Sequence, residues 1–130
     1  MTVGVIMLVH NAFDRAEQVA RHWVKGGCPV VIHIDKNVDQ KSHDDFVARL
    51  SDLKRIKFCR RQPCEWGTWG IVAGTQSAAT MLLANFPDVR HVYLASGSCM
   101  PLRPVRELVT YLDSRPRTDF IESATTSEVS

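Results

Sequence analysis

The sequence lacks the short signatures by which many nucleotide-binding and metal-binding proteins are recognised. Its 130 residues contain neither the GxGxxG turn of dinucleotide-binding domains nor the GxxxxGK(S/T) phosphate loop. Cys59 and Cys64 lie too far apart for a zinc knuckle, and no Cys-x-x-Cys or His-x-x-x-His pair accompanies them. A nucleotide would therefore be held in another way, and a zinc site is not indicated.

Strong charge imbalance and long apolar runs are also absent. Sixteen basic and 14 acidic side chains leave a formal net charge of +2, which does not favour nucleic acid or an anionic membrane as a partner. The apolar runs are too short to cross a bilayer, and Met1 to Gly4 do not resemble the basic start of a secretion signal. We therefore expect a cytoplasmic protein whose four cysteines are free thiols.

The sequence does contain an alternation of strand and helix patterns. Its composition, 45% hydrophobic and 23% charged, is typical of one compact α/β domain. Short apolar or β-branched runs predict strands at 3–9, 30–34, 55–59, 91–95 and 119–122, of which the first and fourth are expected to be buried. The polar run 124–130 shows neither the helical nor the strand period and is expected to be a tail that leads into a further, C-terminal part of the domain.

Helical spacing of apolar residues fills the intervals between these strands. We expect the first helix to be capped by Asn11 and the second by Ser42. A long helix is predicted over 68–85, with Trp69 in the core, and a shorter one begins at Pro104. Strands alternating with helices predict a mostly parallel, Rossmann-like sheet with helices on both faces, which binds ligands beyond the carboxyl ends of its strands.

Polar residues follow several of the predicted strands and are the candidates for binding. The Asp35 carboxylate suits a base N–H or ribose hydroxyls, although a helix cap or a salt bridge to Lys36 is the alternative. His10 is a candidate ligand contact, whereas His33 is more often a core histidine than a metal ligand. The turn 96–98 either presents backbone N–H groups to a ligand or is a plain turn.

The Trp66-Gly67 turn, at the start of the long predicted helix, is a further candidate. An indole there could stack on a uracil or sugar ring while the helix N-terminus faces phosphate, or else it pins the loop as a core aromatic. Trp66 is favoured for the ligand.

The order of these segments resembles one known family. Five segments are similar to those of the core-2/I-branching N-acetylglucosaminyltransferases and peptide O-xylosyltransferases, which form glycosyltransferase family 14. They are Val9-His10, the run 32–36, the Trp66-Gly67-x-Trp69 turn, the run 94–102 and the run 120–123. The resemblance covers 3–123. It implies a GT-A-like fold, with 1–123 as its donor-binding part and the remainder of the domain following it.

The resemblance also implies an activity and its site. The family transfers N-acetylglucosamine or xylose from a UDP-sugar to a hydroxyl of a glycan or other acceptor, with inversion and without metal or another cofactor. This chain likewise has no Asp-x-Asp. By the resemblance, Val9, His10 and Asp35 contact the uridine, the Trp66-Gly67 turn lies along the donor, and Glu122 contacts the acceptor sugar.

The sequence also departs from the family pattern. Cys99 stands where the family usually has an aspartate, which bears on donor or acceptor preference. The catalytic glutamate and the basic residues for the diphosphate belong to a more C-terminal part of the family, so this segment alone is expected to be inactive.

Several partners and alternatives stay open from the sequence alone. A non-catalytic nucleotide- or sugar-binding module is the alternative function. A flavodoxin-type signalling domain is disfavoured, because His10 and Asn11 stand where it needs acidic residues. Membrane-peripheral assembly machinery and self-association through a sheet edge are further expectations.

Overall fold

A computed structural model describes residues 1–64 and 69–121 of the chain. Strands and helices alternate along it, as the patterns predict. In chain order they are β1 (Val3–Val9), α1 (Phe13–Lys25), β2 (Val30–Ile34), α2 (Gln40–Arg49), β3 (Ile56–Phe58), α3 (Gly70–Asn85), β4 (His91–Ser96) and α4 (Val105–Asp113).

The strands form one parallel sheet in the order β3-β2-β1-β4. The β1 strand is central, and its Met7 pairs with Ile32 of β2 on one side and with Ala95 of β4 on the other. The chain moves outward from β1 through β2 to β3, then crosses back to place β4 on the other side of β1. The predicted α/β fold is confirmed, and the strand order reverses between β1 and β4.

Helices cover both faces of this sheet. On one face the cores of α1, α2 and α4 pack on alternate strand residues, with Trp23 and Phe46 as the largest buried side chains. On the other face α3 packs through Ala78 and Leu82 against Ile6 and Val31. A parallel sheet sandwiched in this way explains why β1 and β2 are apolar on both sides.

The α3 helix approaches the sheet closely at two glycines, Gly4 in β1 and Gly74 in α3. A Cβ added at Gly4 in β1 would lie 2.7 Å from Leu82, and one added at Gly74 in α3 would lie 3.0 Å from the His33 ring. Both glycines are therefore required by close packing rather than by backbone conformation. The Gly74 contact brings the first turns of α3 over the carboxyl end of β2.

The two predicted helix caps are wrong. The residue before α1 is Ala12, in the left-handed region at φ 50°, and no side chain caps this helix. At α2, Asp39 is the cap, and its side chain accepts a hydrogen bond from the Ser42 N–H at 3.0 Å. Ser42 therefore lies inside the first turn, because an acidic cap was available three residues earlier.

Three further predictions, on the burial of β4, on Trp69 and on a strand at 119–122, differ from the structure. Although β4 was expected to be buried, Leu94 is 54% exposed, since β4 is an outer strand of the described sheet. Trp69 was expected in the core but is 67% exposed just before α3. Residues 119–121 do not form the predicted strand.

Candidate functional site

A cavity of about 510 Å³ lies at the carboxyl ends of β1, β2 and β4, where the strand order reverses. This is the place at which parallel α/β sheets bind ligands, and the volume falls in the range of small-molecule sites. Its described lining comprises Leu8, Val9, His10, His33, Asp35, Cys64, Ile71, Leu94, Ala95 and Ser96. Three of the predicted site residues, Val9, His10 and Asp35, therefore share one cavity.

Asp35 follows β2 and is held rigidly at the cavity wall. Its backbone N–H donates to the Val9 carbonyl at 2.9 Å, which joins the ends of β2 and β1. Its carboxylate Oδ1 accepts the N–H groups of Asn37 at 2.9 Å and Cys64 at 3.1 Å. The side chain is only 7% exposed. Two backbone donors on one oxygen fix the orientation of the carboxylate.

The alternative explanations of Asp35 do not hold in this structure. The cap of α2 is Asp39, not Asp35. Among the residues that the structure describes, Lys36 forms no salt bridge with Asp35, and no described donor is recorded on Asp35 Oδ2. A buried carboxylate with one oxygen occupied by the backbone can accept a ligand's N–H or O–H on the other.

His33 is a core histidine that also contributes to the cavity wall. It is fully buried, its Nε2 accepts the Gln62 N–H at 2.7 Å, and Gly74 packs on its ring. Burial lowers the pKa of His33, the Arg61 cation lowers it further, and the nearby Asp35 opposes both. The imidazole is therefore neutral at pH 7, with Nε2 as the acceptor. The core interpretation is confirmed.

Cys64 is a cavity residue that the sequence did not single out for this role. Its Sγ lies 3.8 Å from His33 Nδ1, and its N–H donates to Asp35. Burial, with a smaller contribution from Asp35, raises the pKa of the Cys64 thiol. The thiol is therefore protonated at pH 7 and is a poor nucleophile. No local pattern marks it, because its role depends on where the loop after β3 turns back.

Val9 and His10 form the β1 side of the cavity. Val9 is 3% exposed, and Gly97 after β4 lies against it, since a Cβ added there would approach the Val9 side chain to 3.2 Å. His10 is exposed at the rim. Val9 thus presents a rigid apolar surface with its carbonyl bound to Asp35, whereas His10 is free to adjust to a ligand.

The turn after β4 is a plain turn. The Ser98 N–H donates to the Ser96 hydroxyl at 3.1 Å, and the Cys99 N–H donates to the Ser96 carbonyl at 3.4 Å. These two N–H groups are therefore engaged within the turn instead of pointing to a ligand. Cys99, which stands where an aspartate is expected, is exposed.

The described lining carries little positive charge. It includes no lysine or arginine. In the described part of the chain, no cluster of three His, Cys, Asp or Glu side chains is arranged to hold a metal ion. The cavity therefore suits the uncharged part of a ligand, and a diphosphate would need cations beyond these lining residues.

Three predicted site residues cannot be placed beside this cavity. Trp66, Gly67 and Glu122 lie outside the described residues. The described chain resumes at Trp69, and α3 begins at Gly70, one residue before Ile71 in the lining. The assignments of these three residues to the donor and the acceptor stay predictions.

The sheet order defines an α/β domain of the Rossmann-like class with a cavity at its switch point, consistent with a GT-A glycosyltransferase domain. The family model of the core-2/I-branching enzymes matches residues 20–129. The chain therefore belongs to that family of glycosyltransferases, in agreement with the resemblance seen in its motifs. No curated protein matches the chain. None of the described helices combines the length and the apolar character that a membrane span requires.

Proposed function

We propose that this chain supplies the donor-binding part of a UDP-sugar-dependent transferase. The transferase would move N-acetylglucosamine or xylose to a hydroxyl of a glycan or other acceptor with inversion. The single observation that carries the donor assignment is Asp35, a fixed carboxylate at the switch-point cavity whose Oδ2 has no hydrogen-bond donor among the described residues. Such an oxygen complements the imide N–H of uracil or a ribose hydroxyl.

The chemistry of the cavity supports the nucleoside as its occupant. Leu8, Val9, Ile71 and Leu94 give it apolar walls, and Asp35 is its fixed acceptor. A planar base fits walls of this kind, whereas a diphosphate does not, because the described residues of the lining include no lysine or arginine. We therefore propose that uridine occupies the cavity and that the diphosphate extends beyond it.

The transfer step needs a base and cations that are not identified among the described residues of the site. An inverting transfer requires a base to deprotonate the acceptor hydroxyl and cations to stabilise the departing UDP. The proposed reaction uses side chains instead of a metal for that charge. Trp66 and Gly67 are proposed along the donor and Glu122 at the acceptor, as the resemblance implies.

A non-catalytic nucleotide-binding module is the second candidate. This candidate is favoured by the composition of the cavity, because its described lining has no identified base for the acceptor hydroxyl and no lysine or arginine for a diphosphate. The two candidates share the uridine site and differ in turnover. Transfer of labelled sugar to a hydroxyl acceptor, or hydrolysis of the donor, would distinguish the enzyme from the module.

The first experiment is calorimetric titration of the chain with UDP, UDP-N-acetylglucosamine and UDP-xylose, with and without EDTA. We expect saturable binding that EDTA does not weaken. The variant Asp35→Asn should bind UDP about 10- to 100-fold more weakly, because a hydrogen bond to a charged group contributes roughly 1.5–3 kcal/mol. The exposed Asp88→Asn is the matched control and should bind normally. Absence of UDP binding by the folded wild type would reject the proposal.

A further inference from the structure

Segment 61–64 is docked on the end of β2 and the turn after it by hydrogen bonds of Arg61, Gln62 and Cys64. The Gln62 N–H donates to His33 at 2.7 Å, and its carbonyl accepts the Lys36 N–H at 3.1 Å. The Cys64 N–H donates to Asp35 Oδ1 at 3.1 Å. The segment therefore supplies one of the two backbone donors that fix the Asp35 carboxylate.

Arg61 attaches the start of this segment to the turn that follows β2. Its Nη2 atom donates to the carbonyls of Asp35 at 3.0 Å and Val38 at 2.7 Å, with a longer contact of 3.4 Å to the carbonyl of Lys36. One nitrogen of the guanidinium thus contacts three backbone oxygens of the turn 35–38. No salt bridge of Arg61 to a carboxylate is found within the described residues.

The position of Arg61 separates it from direct ligand contact. It does not belong to the described lining of the cavity, whereas Asp35 and Cys64 do. Its Nε is buried and has no partner in the described part of the chain, so the side chain is held there at some energetic cost.

We propose that Arg61 is a positioning residue for the donor site. It holds segment 61–64 against the turn 35–38, which keeps the Cys64 N–H on Asp35 Oδ1 and turns Oδ2 toward the ligand. An arginine is suited to this task because its planar, rigid group can bridge several carbonyls, which a lysine ammonium on its flexible stem does less well. The inference rests on the proposed uridine site.

The test compares Arg61→Met with Arg60→Met. Both variants lose one positive charge and keep an unbranched apolar stem, but Arg60 is exposed and has no recorded hydrogen bond in the described structure. We expect Arg61→Met to raise the UDP dissociation constant about tenfold, as one lost positioning interaction would, and Arg60→Met to leave it unchanged. Equal losses in the two variants would show a general charge effect and overturn the proposal.

Amide hydrogen exchange without ligand gives an independent measurement. In Arg61→Met the Cys64 and Asn37 amides should exchange about tenfold faster than in wild type, because the segment is released from the turn. Unchanged exchange at Cys64 overturns the positioning role, whatever happens to affinity. If wild-type protein does not bind UDP, the proposed function fails, while the exchange experiment still decides whether Arg61 orients Asp35.

A third variant covers the case in which Arg61→Met does not fold. Arg61→Lys keeps the charge and most of the stem, and it should give a smaller loss of affinity, about threefold, with intermediate exchange at Cys64. Wild-type affinity and wild-type exchange in Arg61→Lys would overturn the proposal in that case.

Discussion

Replacing Gly74 by alanine sets two opposing effects of known size against each other. In an exposed helix the change from glycine to alanine stabilises by about 1 kcal/mol. At Gly74 the new Cβ would lie 3.0 Å from two atoms of the His33 ring and 3.1 Å from a third. The ring is fully buried and is bonded to the Gln62 N–H at 2.7 Å, so it cannot move aside freely. Overpacking of this kind typically costs about 1–3 kcal/mol.

The steric cost should therefore exceed the gain in helix propensity. We expect Gly74→Ala to lower the free energy of unfolding by about 1 kcal/mol, measured by urea denaturation followed by circular dichroism. The exposed Gln76 in the same helix provides the control, since the difference between Gln76→Ala and Gln76→Gly measures propensity alone. If Gly74→Ala raises stability by as much as that difference, the His33 ring yields to the methyl group and the packing argument is refuted.

Three further outcomes follow from the described contacts. The pKa of His33 in the folded protein lies below its ordinary 6.5, so on acidification the imidazole is protonated in the unfolded chain before it is protonated in the folded one. The free energy of unfolding of the wild type should therefore decline as the pH falls below 6.5, and His33→Gln should remove that part of the decline. Asp39→Ala should cost about 1 kcal/mol in urea denaturation by removing the cap on the Ser42 N–H, and an unchanged midpoint would contradict the cap. With a thiol reagent and mass spectrometry, exposed Cys99 should be labelled in the native state and Cys28 only on unfolding, since burial raises the pKa of Cys28 to about 11; equal labelling rates would contradict this.

The parallel sheet was predictable where burial is symmetrical. The runs that became β1 and β2 are apolar at nearly every position, which is the pattern of a strand covered on both faces. The run that became β4 has a similar composition, yet Leu94 is exposed because the strand lies at the edge of the described sheet. Composition reports that a strand forms, but it does not report which neighbours will cover it.

The candidate site was predictable only in part, for a similar reason. Asp35 was identified because it follows a strand, and strand ends meet at a common edge. Cys64 and Arg61 were missed as site residues because their roles depend on segment 61–64 turning back over the end of β2. Trp69 was assigned to the core from helical spacing alone, but spacing does not show that the first turn of a helix extends beyond the sheet.

The hydrogen bond from the Asp35 N–H to the Val9 carbonyl fixes the distance between these two residues of the cavity wall. Adjacent strands of any sheet lie about 4.8 Å apart, so the separation of these two wall residues is set by backbone pairing and is independent of loop length. Substitutions in the loops can therefore change the surroundings of a ligand without changing the distance between Val9, the apolar contact, and Asp35, the acceptor. With uridine in the cavity, as we propose, preference for one nucleotide over another would be set by the side chains, while the backbone that holds them stays constant.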